Sequence, residues 1–160
     1  MAQNVPQKAR RHDHRACVHR AIADAEQACR KRGLRLTPLR QRVLELVWSG
    51  HAAVKAYDLL RRLQHEREGA APPTVYRALD FLSDAGLIHR IESLNAFVGC
   101  SDPLHPHRGQ FLICRLCRTV TELEAHDTLG SLSHAAKRVR FQVERQTIEA
   151  YGLCASCQSA

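Results

Sequence analysis

Cys114 and Cys117 form one C-x-x-C pair, and Cys154 and Cys157 form a second. Each two-residue gap lets a tight turn aim both sulfurs at one point. Together the pairs offer four soft thiolates, the donor set of a closed tetrahedral structural zinc site. A metal held there would staple the segment around residues 154–157 onto a central one. Two disulfides or a redox dithiol are the other uses of such pairs. Stable disulfides belong to oxidising compartments. The opening MAQNVPQKARRHDHRACVHR lacks the apolar stretch of a secretory signal, and a reducing, cytoplasmic setting suits the unpaired Cys17 and Cys29. A redox dithiol would open a helix after a buried strand. FLICRLCRTVTELE instead alternates like a strand that turns back on itself, the setting of a zinc knuckle. A redox protein remains the rival from another class, and it predicts reactive, low-pKa thiols. No H-E-x-x-H stands on any helical stretch, no general base stands out, and the expectation is a protein that is not an enzyme and has no small-molecule substrate.

These side chains need elements to position them. With 160 residues, 44% hydrophobic, the chain is one or two small domains. Neither half is large, so metal binding and dimerisation are sources of extra stability. No apolar run reaches membrane-spanning length. The formal net charge is +8 and is unevenly placed. Residues 1–92 carry 17 Lys/Arg against 10 Asp/Glu, a net of +7, and residues 93–160 carry 7 against 6, a net of +1. A basic half beside a near-neutral half rich in metal ligands suggests a polyanion-binding module joined to a metal module. Residues 1–16 read as a disordered basic arm.

Residues 17–32 have helical apolar spacing, with Gly33 as a C-cap. Thr37-Pro38 reads as N-cap plus N1 proline of a second helix, with Val43, Leu44, Leu46 and Val47 inward. Ala56–Glu66 is a third helix with Leu59, Leu60 and Leu63 inward. Thr74 caps a fourth, VYRALDFLSDA, with Val75, Leu79 and Leu82 inward and Gly86 after its end. LIHRIES and NAFVGC read as two strands joined by a turn at Ser93–Asn95. Helices followed by a hairpin make a winged helix-turn-helix, whose fourth helix enters the major groove. Thr74, Tyr76 and Arg77 then face DNA, Arg77 as a base reader or a phosphate contact. The second half reads as strands 109–114 and 118–123, a helix Asp127–Arg138 capped by Asp127 or Thr128, and a strand 141–150. His126 and His134 read as helix-surface residues.

The stretches LRLTPLRQRVLELV (34–47), AYDLL (56–60), PPTVYRALDFL (72–82), HRIES (89–93), FLICRLC (111–117) and IEAYGLCASC (148–157) resemble the ferric uptake regulator (Fur) superfamily. Within it the resemblance is to the zinc uptake regulator (Zur) branch, and it runs in order over most of the chain. It implies an α+β protein with an N-terminal winged helix-turn-helix DNA-binding domain (17–93), a hinge (94–102) and a C-terminal α/β dimerisation and metal-binding domain (103–160). It implies a homodimeric repressor that binds double-stranded operator DNA of zinc-uptake genes when loaded with zinc and releases it when zinc is scarce. A sister regulator sensing another metal, such as iron, shares the same fold.

The resemblance places Cys114, Cys117, Cys154 and Cys157 at the family's structural zinc positions. It places His89, Cys100, His107 and Glu122 at a second, regulatory site, two zinc ions per subunit in all. His105 is the substitute ligand, because some relatives use both histidines of such a segment. Tyr57 and Arg77 match the family's DNA-contacting tyrosine and arginine. A site with one thiolate, two imidazoles and a carboxylate should exchange metal more readily than four thiolates, and its thiolate favours zinc over Fe(II) or Mn(II).

Overall fold

The computed structural model describes residues 14–50, 52–66, 70–105, 109–123, 127–144 and 146–158. Helix α1 spans His14–Lys31, α2 Pro38–Val47, α3 Ala56–Glu66 and α4 Pro72–Asp84. Strands β1 (Ile88–Ile91) and β2 (Ala96–Gly99) follow, joined by a 3-10 turn at Glu92–Leu94 and a left-handed Asn95. Then come β3 (Gln110–Cys114), β4 (Val120–Glu122), α5 (Asp127–Arg138), β5 (Ile148–Gly152) and the short α6 (Ala155–Gln158).

The helix ends follow their punctuation. Thr37 Oγ1 accepts the Arg40 N–H, and Pro38 occupies the first helical position, where a missing donor costs nothing. Gly33 and Gly86 both adopt φ +65, the left-handed conformation that ends a helix with least strain in glycine. Helix α4 starts earlier than expected. Pro72 and Pro73 supply its first turn and Ala71 is the N-cap, so Thr74 lies inside the helix and caps nothing. Helix α1 likewise begins at His14, so three residues assigned to the basic arm are helical.

Ala25, Ala28, Val43, Leu44, Leu59, Leu63, Val75, Leu79, Leu82, Leu87 and Ile88 fuse the first four helices and the hairpin into one core. Truncating a leucine such as Leu79 to alanine there costs about 2–5 kcal/mol. Cys29 is buried in this core, packed as a small apolar residue. β1 and β2 pair antiparallel, and Val54 exchanges two 2.8 Å backbone hydrogen bonds with Phe97, adding a third rung to the wing.

The second sheet has the order β4-β3-β5, with β3 antiparallel to β4 and parallel to β5. Strand pairing at the start of the last segment is shorter than expected: the described residues 141–144 and 146–147 precede β5 without joining it. Along β3, Phe111 and Ile113 point one way and Leu112 the other, the two-residue period of a strand. Phe111 and Ile113 pack with Ile91 of the wing, and Ala53, Leu94, Val98 and Val120 surround them. The wing and the second sheet therefore share a small apolar core. No described helix is long and apolar enough to cross a membrane.

Candidate metal centres and DNA-reading face

Parallel pairing of β3 with β5 brings both cysteine pairs to one end of the sheet. Cys114 ends β3 and Cys154 follows β5 by two residues. Arg118 turns back with φ 59, its N–H donating to the Cys114 carbonyl at 3.0 Å, which folds Cys117 over Cys114. Cys157 reaches the same point from the first turn of α6. The four sulfurs lie within 4.8 Å of one another, with Cys117 and Cys154 3.6 Å apart. Zinc–sulfur bonds of about 2.3 Å in a tetrahedron require about 3.8 Å between sulfurs, so the set fits a structural zinc. The surroundings favour thiolates at two positions. The Cys154 N–H, donating at 3.4 Å, leads the contacts that lower the Cys114 pKa. The Thr119 hydroxyl, 3.2 Å from the sulfur, leads those that hold Cys117 down to about 5. Cys157, crowded first by the Cys154 sulfur, is pushed up to about 12. Two positions that favour thiolates make this a cluster that attracts a cation.

His89, Cys100 and Glu122 form the second cluster, with donor atoms within 4.8 Å of one another. His89 comes from β1, Cys100 follows β2, and Glu122 ends β4 in the other sheet. His89 Nε2 lies 2.8 Å from Glu122 Oε1, and its ring leans on Phe111 at 5.3 Å. The second carboxylate oxygen is held by Ser101, whose N–H donates at 2.9 Å and whose hydroxyl donates at 2.7 Å. This leaves Oε1 to face the cluster. Burial acts to raise the Glu122 pKa, but the hydrogen bond and charge of His89 and the Ser101 donors outweigh it and bring it to about 2. Cys100 is only 3% exposed. Burial first, then the Glu122 charge, push its thiol up to about 12. This donor set fits a zinc site that must expel a thiol proton to fill.

His107, assigned to the second cluster by the resemblance, lies outside the described residues, as does His126. His105 does not join the cluster: its Nδ1 is 2.8 Å from Asp102 Oδ2 and its ring is exposed. Cys100 is anchored from two sides. Its N–H donates to the Leu87 carbonyl at 3.0 Å. One residue before it, Gly99 lies under the Trp48 indole, where a Cβ would come within 2.1 Å of the ring. Arg32 at the end of α1 donates to the Ala85 carbonyl and, at 2.7 Å, to the Pro103 carbonyl, tying the following loop to the helical half. Sequence reasoning missed Ser101 and Thr119. Both are hydroxyl residues within two positions of a candidate cysteine, a signal that could have pointed to them.

On the outer face of α4, Thr74, Tyr76 and Arg77 are exposed while Val75, Ala78, Leu79 and Leu82 are buried. Tyr57, at the second position of α3, is 65% exposed, and Tyr76 is 53% exposed. Large aromatic side chains left in solvent beside an arginine make a face suited to a polar, anionic partner. Two other arginines of this half are engaged internally. Arg42 grips Glu66 with two bonds of 2.8 and 2.6 Å, and Arg40 stacks 3.5 Å above Phe81.

Comparison with known proteins agrees with this architecture. The profile of the ferric uptake regulator family matches residues 31–151. The zinc uptake regulation protein of Escherichia coli (strain K12) is 42% identical over 137 residues, 85% of this chain and 80% of that one. A solved structure of a zinc uptake regulator complexed with zinc and DNA superposes with a TM-score of 0.82 at 40% identity, covering 89% of this chain and 95% of its own. Holo XcZur gives 0.81 at 48% identity over 87% of this chain and 97% of its own. Apo XcZur gives only 0.52 at 46% identity, over 88% and 97%. At nearly equal sequence likeness, the overall arrangement here is close to the holo structure and far from the apo one. The chain belongs to the ferric uptake regulator family, in its zinc uptake regulator branch.

Proposed function

We propose that the chain is a zinc-responsive transcriptional repressor whose zinc-loaded homodimer binds operator DNA of zinc-uptake genes and lets go when zinc is scarce. One observation carries this reading. Two donors of the second cluster, His89 and Cys100, flank the wing, whereas Glu122 belongs to the other sheet. In this reading residues 17–93 are the DNA-reading head, 94–102 the hinge and 103–160 the dimerisation and metal-binding part. Zinc would be held by His89, Cys100 and Glu122, with His107 as the fourth donor, and would supply a divalent centre there. Cys100 would give up its proton on binding, Ser101 keeps Glu122 aimed, and Phe111 keeps the His89 ring in place. A second zinc per subunit, on Cys114, Cys117, Cys154 and Cys157, belongs to folding rather than sensing. A reducing cytoplasm suits so many thiolates.

The affinity gained for DNA equals the differential stabilisation of the arrangement that fits the operator, and operator DNA must raise zinc affinity by the same factor. Tyr57, Thr74, Tyr76 and Arg77 are the DNA-contacting set, with Arg77 able to read guanine or grip phosphate. The sheet face away from the wing supports a dimer. Leu112 is 45% exposed there, in an apolar groove of about 370 Å³ that Thr121, Leu123 and Ala150 also line. A second copy covering that groove would set two heads at the spacing of a near-palindromic operator.

The test is binding of the full chain to a zinc-uptake promoter fragment across buffered free Zn(II), with Fe(II) and Mn(II) in parallel. Affinity that rises steeply with trace zinc alone supports the proposal. Binding that ignores zinc and follows iron assigns the chain to an iron-sensing sister class instead.

A further inference from the structure

The Glu92–Leu94 turn at the tip of the wing has backbone N–H groups that no residue before it satisfies. Its N-cap, Ile91, makes no side-chain capping bond. The cap comes from the other half of the molecule. Glu149 Oε1 accepts the Glu92 N–H at 2.8 Å and Oε2 accepts the Ser93 N–H at 3.3 Å. The Ser93 hydroxyl donates to the same Oε2, and the Tyr151 hydroxyl donates to Ser93 Oγ. Glu149 and Tyr151 stand two residues apart on β5, paired with Phe111 and Ile113, so they share the sheet face that the wing covers. A carboxylate across two successive amides is a charge-assisted cap, stronger than a neutral one.

We propose that Glu149 is a positioning residue for the DNA-reading head: it caps the wing turn from the dimerisation sheet and so helps set the free-zinc level at which the repressor engages DNA. This rests on the zinc-responsive reading above. The carboxylate binds no metal donor and is separate from the His89, Cys100 and Glu122 cluster. It favours the arrangement in which wing and sheet touch, without regard to zinc. The overall arrangement that contains this contact is close to that of the holo relative. By stabilising it, Glu149 lowers the differential affinity that zinc must supply. Removing the cap should shift the zinc response to higher concentration while both metal clusters stay intact.

The experiment compares full-length wild type, Glu149→Ala, Glu149→Gln and Ser93→Ala. Operator binding is followed over buffered free zinc, and amide hydrogen exchange is read at Glu92 and Ser93. The expected result for Glu149→Ala is a zinc midpoint raised about tenfold, fast exchange at both amides and an unchanged zinc content. Glu149→Gln keeps one acceptor and falls between, and Ser93→Ala gives a smaller shift. Wild-type midpoints in all three variants, against a zinc-responsive wild type, overturn the role of Glu149 and leave the repressor reading standing. A wild type that binds DNA without regard to zinc overturns both. If Glu149→Ala does not fold, Glu149→Gln and Ser93→Ala decide the matter by the same readouts.

Discussion

Glu122 and Glu149 flank Phe111 in one cross-strand row of the second sheet, and both carboxylates face the wing. Glu122 meets the His89 ring on β1, and Glu149 meets the turn that follows it. The apolar contact of Phe111 with Ile91 lies between them. One edge of the row belongs to the candidate metal cluster and the other is a plain hydrogen-bond acceptor. The wing is therefore gripped by two acids in different settings, and only the first stands in a cluster that could hold a metal ion.

Removing a donor of the second cluster should uncouple DNA binding from zinc without unfolding the chain. Cys100→Ser and His89→Ala should each bind one zinc fewer per subunit than wild type, and both should lose zinc-dependent operator binding. Metal analysis alongside a mobility-shift titration checks this. A Cys100→Ser protein that still represses in a zinc-dependent manner would refute the sensor assignment.

The cysteine pairs should behave differently. A structural zinc is worth on the order of 10 kcal/mol, as much as the whole stability of a small domain. Cys117→Ser, Cys154→Ser or a strong chelator should therefore unfold the second sheet and abolish dimerisation. The helical signal of the first half should persist, because its core contains no metal ligand. Circular dichroism and sedimentation measured together would test this separation.

The Cys100 thiol should make zinc uptake pH-dependent. With its pKa raised to about 12 by burial and the Glu122 charge, the metal-free site holds a proton that zinc must displace. Affinity at the second cluster should rise by about tenfold per pH unit through the neutral range. A competition titration with a chelator dye at several pH values measures the slope, and a flat profile would mean that Cys100 does not ligate. The same shift has a consequence for the metal-free fold. A pKa raised on folding contributes stability that is complete below the thiol's unfolded value and is lost as pH climbs toward 12. Glu122 works in the opposite sense: lowered to about 2, its contribution is present above its ordinary value and is lost as pH falls from there toward 2. Melting of the metal-free protein against pH should show both flanks.

Gly99→Ala should disturb the second cluster from outside it. The new methyl would meet Trp48 Cε2 at 2.1 Å, so either the indole or the strand before Cys100 must move. We expect a loss of about 1–3 kcal/mol and weaker zinc binding at this cluster alone. Trp48 is the sole tryptophan, so its fluorescence reports the displacement directly.

Arg77→Ala should weaken operator binding by about ten- to a hundredfold with zinc content unchanged. Binding measured over a salt series on cognate and altered operators separates the two roles. A loss confined to cognate sequence marks base reading, whereas a uniform loss with a shallower salt slope marks a phosphate contact.

Much of the first half was legible because its signals are local. The inward stripes of α2 and α3 and the glycine ends of α1 and α4 follow from spacing that any helix must obey. The start of α4 was misread for a local reason too: Thr74 looks like a cap, but two prolines before it fill the first turn better. The meeting of His89, Cys100 and Glu122 could be expected only from the resemblance, since no spacing connects residues on different sheets. Glu149 carried no signal at all. Its partners are backbone amides, which every sequence possesses, and they lie more than fifty residues away.

The parallel pairing of β3 with β5 has a consequence in time. The head is assembled from segments that follow one another closely along the chain, whereas β5 must find β3 across residues 115–147. Closing so long an excursion is slow compared with collapse of neighbouring helices. A newly made chain thus passes through an interval in which the winged helix is complete but β3 has an open edge, exposed to pairing with other chains. Capture of zinc by the four cysteines, as proposed, would end that interval. On the proposed reading, the metal supply sensed through one cluster would also govern, through the other, how quickly new copies escape their most vulnerable stage.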